Sequence, residues 1–182
     1  MKKQFRVYLR ALEPDDYILI HKWRNDPEVN LLFSGTRRFT STLNEKKWVE
    51  DKIFDKNNLN CAVILKETNE MIGCTFIYNI DMLNQTGQSS IFIGEKQHWA
   101  KGFATDAYIL ILKNAFYDKN LQRIWALIFE DNASSLKLHE NCGYKVEGLC
   151  RKTSYVNGEF KNAYLVAVLK EDFDNVLEQY DI

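Results

Sequence analysis

Apolar and charged residues alternate through residues 5–10 (FRVYLR), the period of two expected of a half-buried strand. Glu13-Pro14-Asp15-Asp16 then has the grammar of a helix start, with proline in the first turn and acids at the positive end of the dipole. That helix is predicted to reach about Trp23. Asn25-Asp26-Pro27-Glu28 repeats the signal and predicts a second short helix through about Leu32. After an irregular stretch from Ser34 to Thr42, a third helix is expected near Leu43–Asp55, followed by a polar loop over residues 55–60. Two apolar runs, Cys61–Lys66 and Met71–Asn79, are separated by four polar residues and read as a hairpin. Leu83–Gln88 reads as a turn and Ser89–Glu95 as the next strand. A helix opens after Gly102 and is expected to end near Asp118–Asn120. Residues 123–129 (RIWALIF) are nearly all apolar, as in a strand buried on both faces. Asn132 is a good N-cap for a further helix, and Gly143 stands where a left-handed residue would stop it. Asn157-Gly158 is the strongest short turn signal in the chain and predicts a closing hairpin, Gly148–Val156 with Glu159–Leu169. A polar tail is expected after it.

Length and composition narrow this pattern. A chain of 182 residues suits one domain, 1–182, and can bury about 70% of its unfolded surface. A net charge of −1 gives no electrostatic case for nucleic acid. No GxxxxGK[ST] occurs, which argues against a nucleoside-triphosphate enzyme. No apolar run approaches the roughly 18 residues of a membrane span, and the charged N-terminus lacks the apolar core of a signal peptide. Cys61, Cys74, Cys142 and Cys150 show no CxxC spacing, and His139-x-x-Cys142 is a lone pair. No metal site is therefore expected, and free thiols fit a cytoplasmic location.

Candidate chemistry concentrates in Ser89–Thr105 (SSIFIGEKQHWAKGFAT). A strand feeding a small-residue turn and a helix start is a way to hold an anion, because the turn's N–H groups and the helix dipole face the same point. Gly102 permits close approach, Ala104 keeps the turn thin, and Thr105 offers a hydroxyl. An ordinary strand–helix connection is the alternative reading. Ser135 and His139 lie four residues apart and share a helix face two turns above Asn132. An imidazole there titrates near neutrality and can move a proton, or it is simply a packed histidine at a helix C-terminus.

Trp99-Ala100-Lys101-Gly102-Phe103-Ala104 resembles the pyrophosphate loop of the GNAT N-acetyltransferase superfamily, Gln/Arg-x-x-Gly-x-Gly/Ala; Trp99 departs as in the RimJ/RimL-type branch, and Ala100 departs from the Gly usual there. Asn132, Ser135, His139, Gly143 and Tyr144 match the family's second motif. The Leu-His-Glu around His139 resembles phosphinothricin acetyltransferases, and residues 155–163 resemble spermidine acetyltransferases. The resemblance implies an α+β fold: a central mixed, mostly antiparallel sheet of about seven strands flanked by helices. It implies acetyl-CoA as cosubstrate, with pantetheine along Ile91, Phe92 and Ile93. The pyrophosphate would lie on Trp99, Ala100, Lys101, Gly102, Phe103, Ala104 and Thr105, and the pantetheine arm against Asn132 and Ser135. His139 is the expected proton donor to the leaving thiolate. Relatives often carry a carboxylate base near residues 88–90, where this chain has Gln88, Ser89 and Ser90; Glu95 is the nearest candidate. Glu28, Phe33 and Tyr155 are the expected acceptor-site residues. The expected acceptor is the primary amine of a small molecule (a polyamine, amino sugar, amino acid or antibiotic). A protein N-terminus is the alternative acceptor and a non-catalytic CoA-binding module the alternative function. A homodimer is left open.

Overall fold

The structure is a computed structural model in which residues 2–30 and 39–181 are described. Among these residues seven strands form one sheet in the order β1-β2-β3-β4-β5-β7-β6: β1 Val7–Ala11, β2 Leu59–Leu65, β3 Met71–Asp81, β4 Thr86–Ile93, β5 Arg123–Phe129, β6 Lys145–Val156 and β7 Glu159–Leu169. Every neighbouring pair is antiparallel except β4 with β5. The expected mixed, mostly antiparallel α+β architecture is what the chain adopts.

Among the described residues six α-helices flank the sheet: α1 Tyr17–Asn25, α2 Pro27–Asn30, α3 Thr42–Phe54, α4 Phe103–Lys113, α5 Ala133–Asn141 and α6 Lys170–Leu177. Glu13 and Asp16 form a reciprocal capping box ahead of α1, and Ser41 caps α3 by accepting from Asn44 N–H. On one face Ile20, Trp23, Val29 and Val49 from α1–α3 pack over Ala62, Ile64, Cys74, Phe76 and Phe92 of β2–β4. On the other, Tyr108, Ile109, Leu112 and Phe116 meet Ile124, Ala126, Ile128, Val166 and Val168 of β5 and β7, with Phe173 and Leu177 of α6.

Three expectations need correction. Residues 170–177 are a helix, because Phe173 and Leu177 make a buried i, i+4 stripe inside an otherwise charged segment. Strand β5 is not buried on both faces: Ile124, Ala126 and Ile128 lie under helices, whereas Leu127 points the other way and stays 37% exposed. The helices α1–α3 cover β2–β4 and stop short of it. Strand β4 begins at Thr86, inside the stretch read as a turn. Gly87 is there because a Cβ would come within 2.8 Å of Ile77 Cγ2.

Candidate functional site

The parallel pairing of β4 with β5 is brief, joining Thr86, Gly87 and Gln88 to Arg123, Ile124 and Trp125. Beyond Gln88, β4 stays with β3 as far as Ile93, while β5 stays with β7 as far as Phe129. The two strands therefore fork, each exposing an unpaired backbone edge. On β4 the alternation of the antiparallel ladder decides which groups face the opening. Gly94 N–H bonds Ile72 C=O and Thr75 Oγ1 bonds Ser90 C=O, so residues 90, 92 and 94 turn their backbone toward β3. Ile91 and Ile93 turn theirs into the fork. Phe92, expected to contribute, instead pairs with β3 and buries its ring edge-on to Trp23.

At the fork's apex a buried polar cluster replaces the lost ladder. Ser89 Oγ lies 3.3 Å from Trp125 O, 2.7 Å from Tyr144 Oη and 2.6 Å from Tyr108 Oη. Tyr108 Oη is in turn 3.0 Å from His139 Nε2, and His139 Nδ1 is 2.7 Å from Ser135 O. A carbonyl only accepts, so Nδ1 carries the proton. Burial at 5% exposure lowers the imidazole pKa to about 4, so the ring is neutral and Nε2 is an acceptor. Burial pushes both phenols well above their ordinary range, so they remain protonated; Tyr108 Oη donates to Ser89 Oγ, and Ser89 Oγ donates to the Trp125 carbonyl. The cluster thus runs from the Trp125 carbonyl through Ser89 and Tyr108 to His139 and the Ser135 carbonyl, with Tyr144 Oη against Ser89. Both nitrogens of His139 thus lie against partners inside the protein.

The open end of the fork leads to the loop singled out in the sequence. Trp99 donates its indole N–H to Ile93 O at 2.7 Å, fastening the loop to the strand end. Ala100 has φ +57° and Gly102 φ +82°, so the chain reverses through two left-handed residues before α4. Gly102 is the N-cap and brings no side chain to the first turn. Asp106 N–H closes onto Gly102 O at 3.2 Å, which leaves Phe103, Ala104 and Thr105 with the N–H groups that an α-helix start leaves without intrahelical partners. Lys101 is exposed beside them. At the start of α5, Asn132 Oδ1 accepts from Ser135 N–H at 3.0 Å and from Ser134 Oγ, an N-cap that turns its amide nitrogen away from the helix.

The remaining candidates are less concentrated. Glu95 accepts from Lys22 Nζ at 2.8 Å and Trp23 Nε1 at 3.0 Å, tying α1 to the end of β4. Those bonds, Lys22 foremost, hold its carboxyl below the usual range and make it a weaker base than a free carboxylate. Glu28 is exposed and shares Lys96 with Asp26. Tyr155 is exposed near the β6–β7 turn, edge-on to Phe160. Phe33 lies outside the described residues. Sequence reasoning met Ser89 only as a residue standing where relatives carry a carboxylate, and it missed Tyr108; no spacing announced their meeting at the fork's apex, because their partners are 19 to 55 residues away.

Residues 6–145 match the family model described as an acetyltransferase (GNAT) domain. The chain is 29% identical over 171 residues to an uncharacterized N-acetyltransferase, p20, of Bacillus licheniformis, covering 92% of this chain and 95% of that protein. It is 24% identical to a spermidine N(1)-acetyltransferase of Vibrio cholerae, covering 93% and 96%. The crystal structure of the spermidine N-acetyltransferase from Vibrio cholerae in complex with CoA and spermine shares the fold, with a TM-score of 0.85 at 23% identity over 93% of this chain and 99% of that one.

Proposed function

The chain belongs to the acetyltransferase (GNAT) family, and from that premise we propose that it moves the acetyl group of acetyl-CoA to the primary amine of a small molecule. The observation that carries the reading is the fork between β4 and β5, whose open end meets the uncapped first turn of α4. Backbone in the fork can take an extended chain of amides as an added strand would, through Ile91 and Ile93. The N–H groups of Phe103, Ala104 and Thr105, with Lys101 beside them, suit a pyrophosphate. Asn132 offers an amide to the pantetheine arm, with Ser135 one turn on. This donor set fits acetyl-CoA, which supplies an activated acetyl thioester when bound.

His139 serves in this reading by ordering the apex cluster, since its ring nitrogens are already engaged. Glu95 is a tie between α1 and the loop, and deprotonation of the amine falls to water near Gln88 and Ser90. Glu28 and Tyr155 flank the acceptor side. We treat residues 1–182 as one domain, supported by the single continuous sheet. No helix among the described residues is long and apolar enough to cross a membrane. The four cysteines are unpaired, which favours a reducing compartment such as the cytoplasm.

Relatives named spermidine acetyltransferases favour a small amine as acceptor. Release of the CoA thiol with a panel of polyamines, amino sugars and amino acids, run beside peptides with free N-termini, tests this. Turnover with a small amine and none with peptides supports the proposal; the reverse moves the assignment to protein N-termini, and no turnover with any amine leaves a binding module.

A further inference from the structure

Arg6, immediately before β1, meets the acetyl-CoA loop and the start of α4, which lie almost 100 residues away in the sequence and pack beside β1. Its Nε donates to Asp106 Oδ2 at 2.8 Å and its backbone N–H to the same oxygen at 3.3 Å. Its Nη1 donates to Lys101 O at 2.8 Å. The guanidinium carbon lies 4.8 Å from the centre of the Phe103 ring, and Nη2 sits where a Cβ on Gly102 would come within 2.9 Å of it. One side chain therefore touches Lys101, Gly102, Phe103 and Asp106, four of the six residues from 101 to 106.

Asp106 makes this arrangement more than a brace. It is 5% exposed and stands in the first turn of α4, beside the N–H groups assigned to the pyrophosphate. A carboxylate there complements the helix dipole, but it also repels any second anion bound at the same end. Phosphate binding at a helix start that carries a buried acid requires the acid to be neutralised locally. Arg6 is bonded to that carboxylate through both its backbone and its side chain.

We propose that Arg6 is the positioning residue of the cofactor loop: it fixes the left-handed turn through the Lys101 carbonyl and cancels the charge of Asp106, so that the first turn of α4 stays attractive to a pyrophosphate. The proposal rests on the acetyl-CoA reading above, and it extends that reading to a residue outside both sequence motifs. It also supplies a second reason for glycine at 102, beyond its positive φ: any side chain there would displace the guanidinium.

The test compares CoA affinity, by titration calorimetry, for the full-length protein and for Arg6→Ala, Asp106→Asn and the double variant. Removing Arg6 is expected to weaken CoA binding roughly two- to fivefold, the usual range of a charge acting at a helix end, with the KM for the amine unchanged. Removing the carboxylate as well is expected to restore most of that loss. Asp106→Asn alone, which keeps the shape of the side chain, should bind CoA at least as tightly as the unaltered protein. A merely structural brace would be broken by Asp106→Asn as well, and CoA binding would then weaken in that variant. Unchanged affinity in Arg6→Ala, no recovery in the double variant, or weaker binding in Asp106→Asn would each overturn the proposal. Should Arg6→Ala not fold, the Asp106→Asn comparison still decides. Failure of the acetyl-CoA reading itself looks different: the unaltered protein would not bind CoA at all.

Discussion

His139 gives the cluster at the fork's apex a measurable signature in acid. Its ring is buried and neutral, with a pKa lowered from 6.5 to about 4 chiefly by loss of solvent. In the unfolded chain the same ring gains its proton near pH 6.5, so folding keeps the full benefit above that value and loses it as pH falls toward 4. A tenfold difference in proton affinity between the two states corresponds to about 1.36 kcal/mol. Integrating between pH 7.5 and 4.5, the unfolded state gains about 2.5 kcal/mol over the native state from this one group. Urea unfolding of the unaltered protein and of His139→Gln at both pH values isolates it. Whatever the substitution costs at neutral pH, and whatever the carboxylates contribute in acid, subtracts out of the comparison. The unaltered protein should lose about 2.5 kcal/mol more than the variant over that interval. Parallel losses would refute the neutral ring. The same pKa predicts that the pH–rate profile has no limb near 6.5 arising from His139.

Other substitutions probe the surrounding parts. Trp99→Phe keeps an aromatic ring but removes the indole N–H bond to Ile93 O, and should cost about 1 kcal/mol of stability in urea unfolding; no loss would mean that the bond does not fasten the loop. Gly102→Ala must adopt φ +82° and displace Arg6, so a loss of about 1–3 kcal/mol with weaker CoA binding is expected, and an unaffected variant would contradict the geometry. Phe173→Ala removes a fully buried ring packed on Phe116 and should cost about 3–5 kcal/mol; a small effect would return residues 170–177 to the polar tail first expected.

What the sequence made legible was local. The Asn157-Gly158 turn, the Asn132 cap and the small-residue opening of α4 depend on neighbours within four residues, and each appears where the pattern placed it. The missed features depend on distant partners or diluted signals. In α6 Phe173 and Leu177 are buried and Val176 packs beside them amid acids and lysine, too thin a stripe to stand out beside a strand end. Strand β5 looks doubly buried because Trp125, Leu127 and Phe129 are apolar, yet among the described residues the helices α1–α3 pack on β2–β4 instead. Arg6 reads as one charge in an alternating strand, and only the fold brings it to Asp106. The chemical state of His139 depends on a burial that a histidine in a helix does not advertise.

The central claim is that the β4–β5 fork and the start of α4 hold acetyl-CoA, and thermal unfolding with and without that ligand tests it most directly. Acetyl-CoA at about 100 times its dissociation constant should add about 2.7 kcal/mol, raising the unfolding temperature by about 5–10 °C for a chain of this length. An unfolding temperature unmoved by millimolar acetyl-CoA would contradict the account.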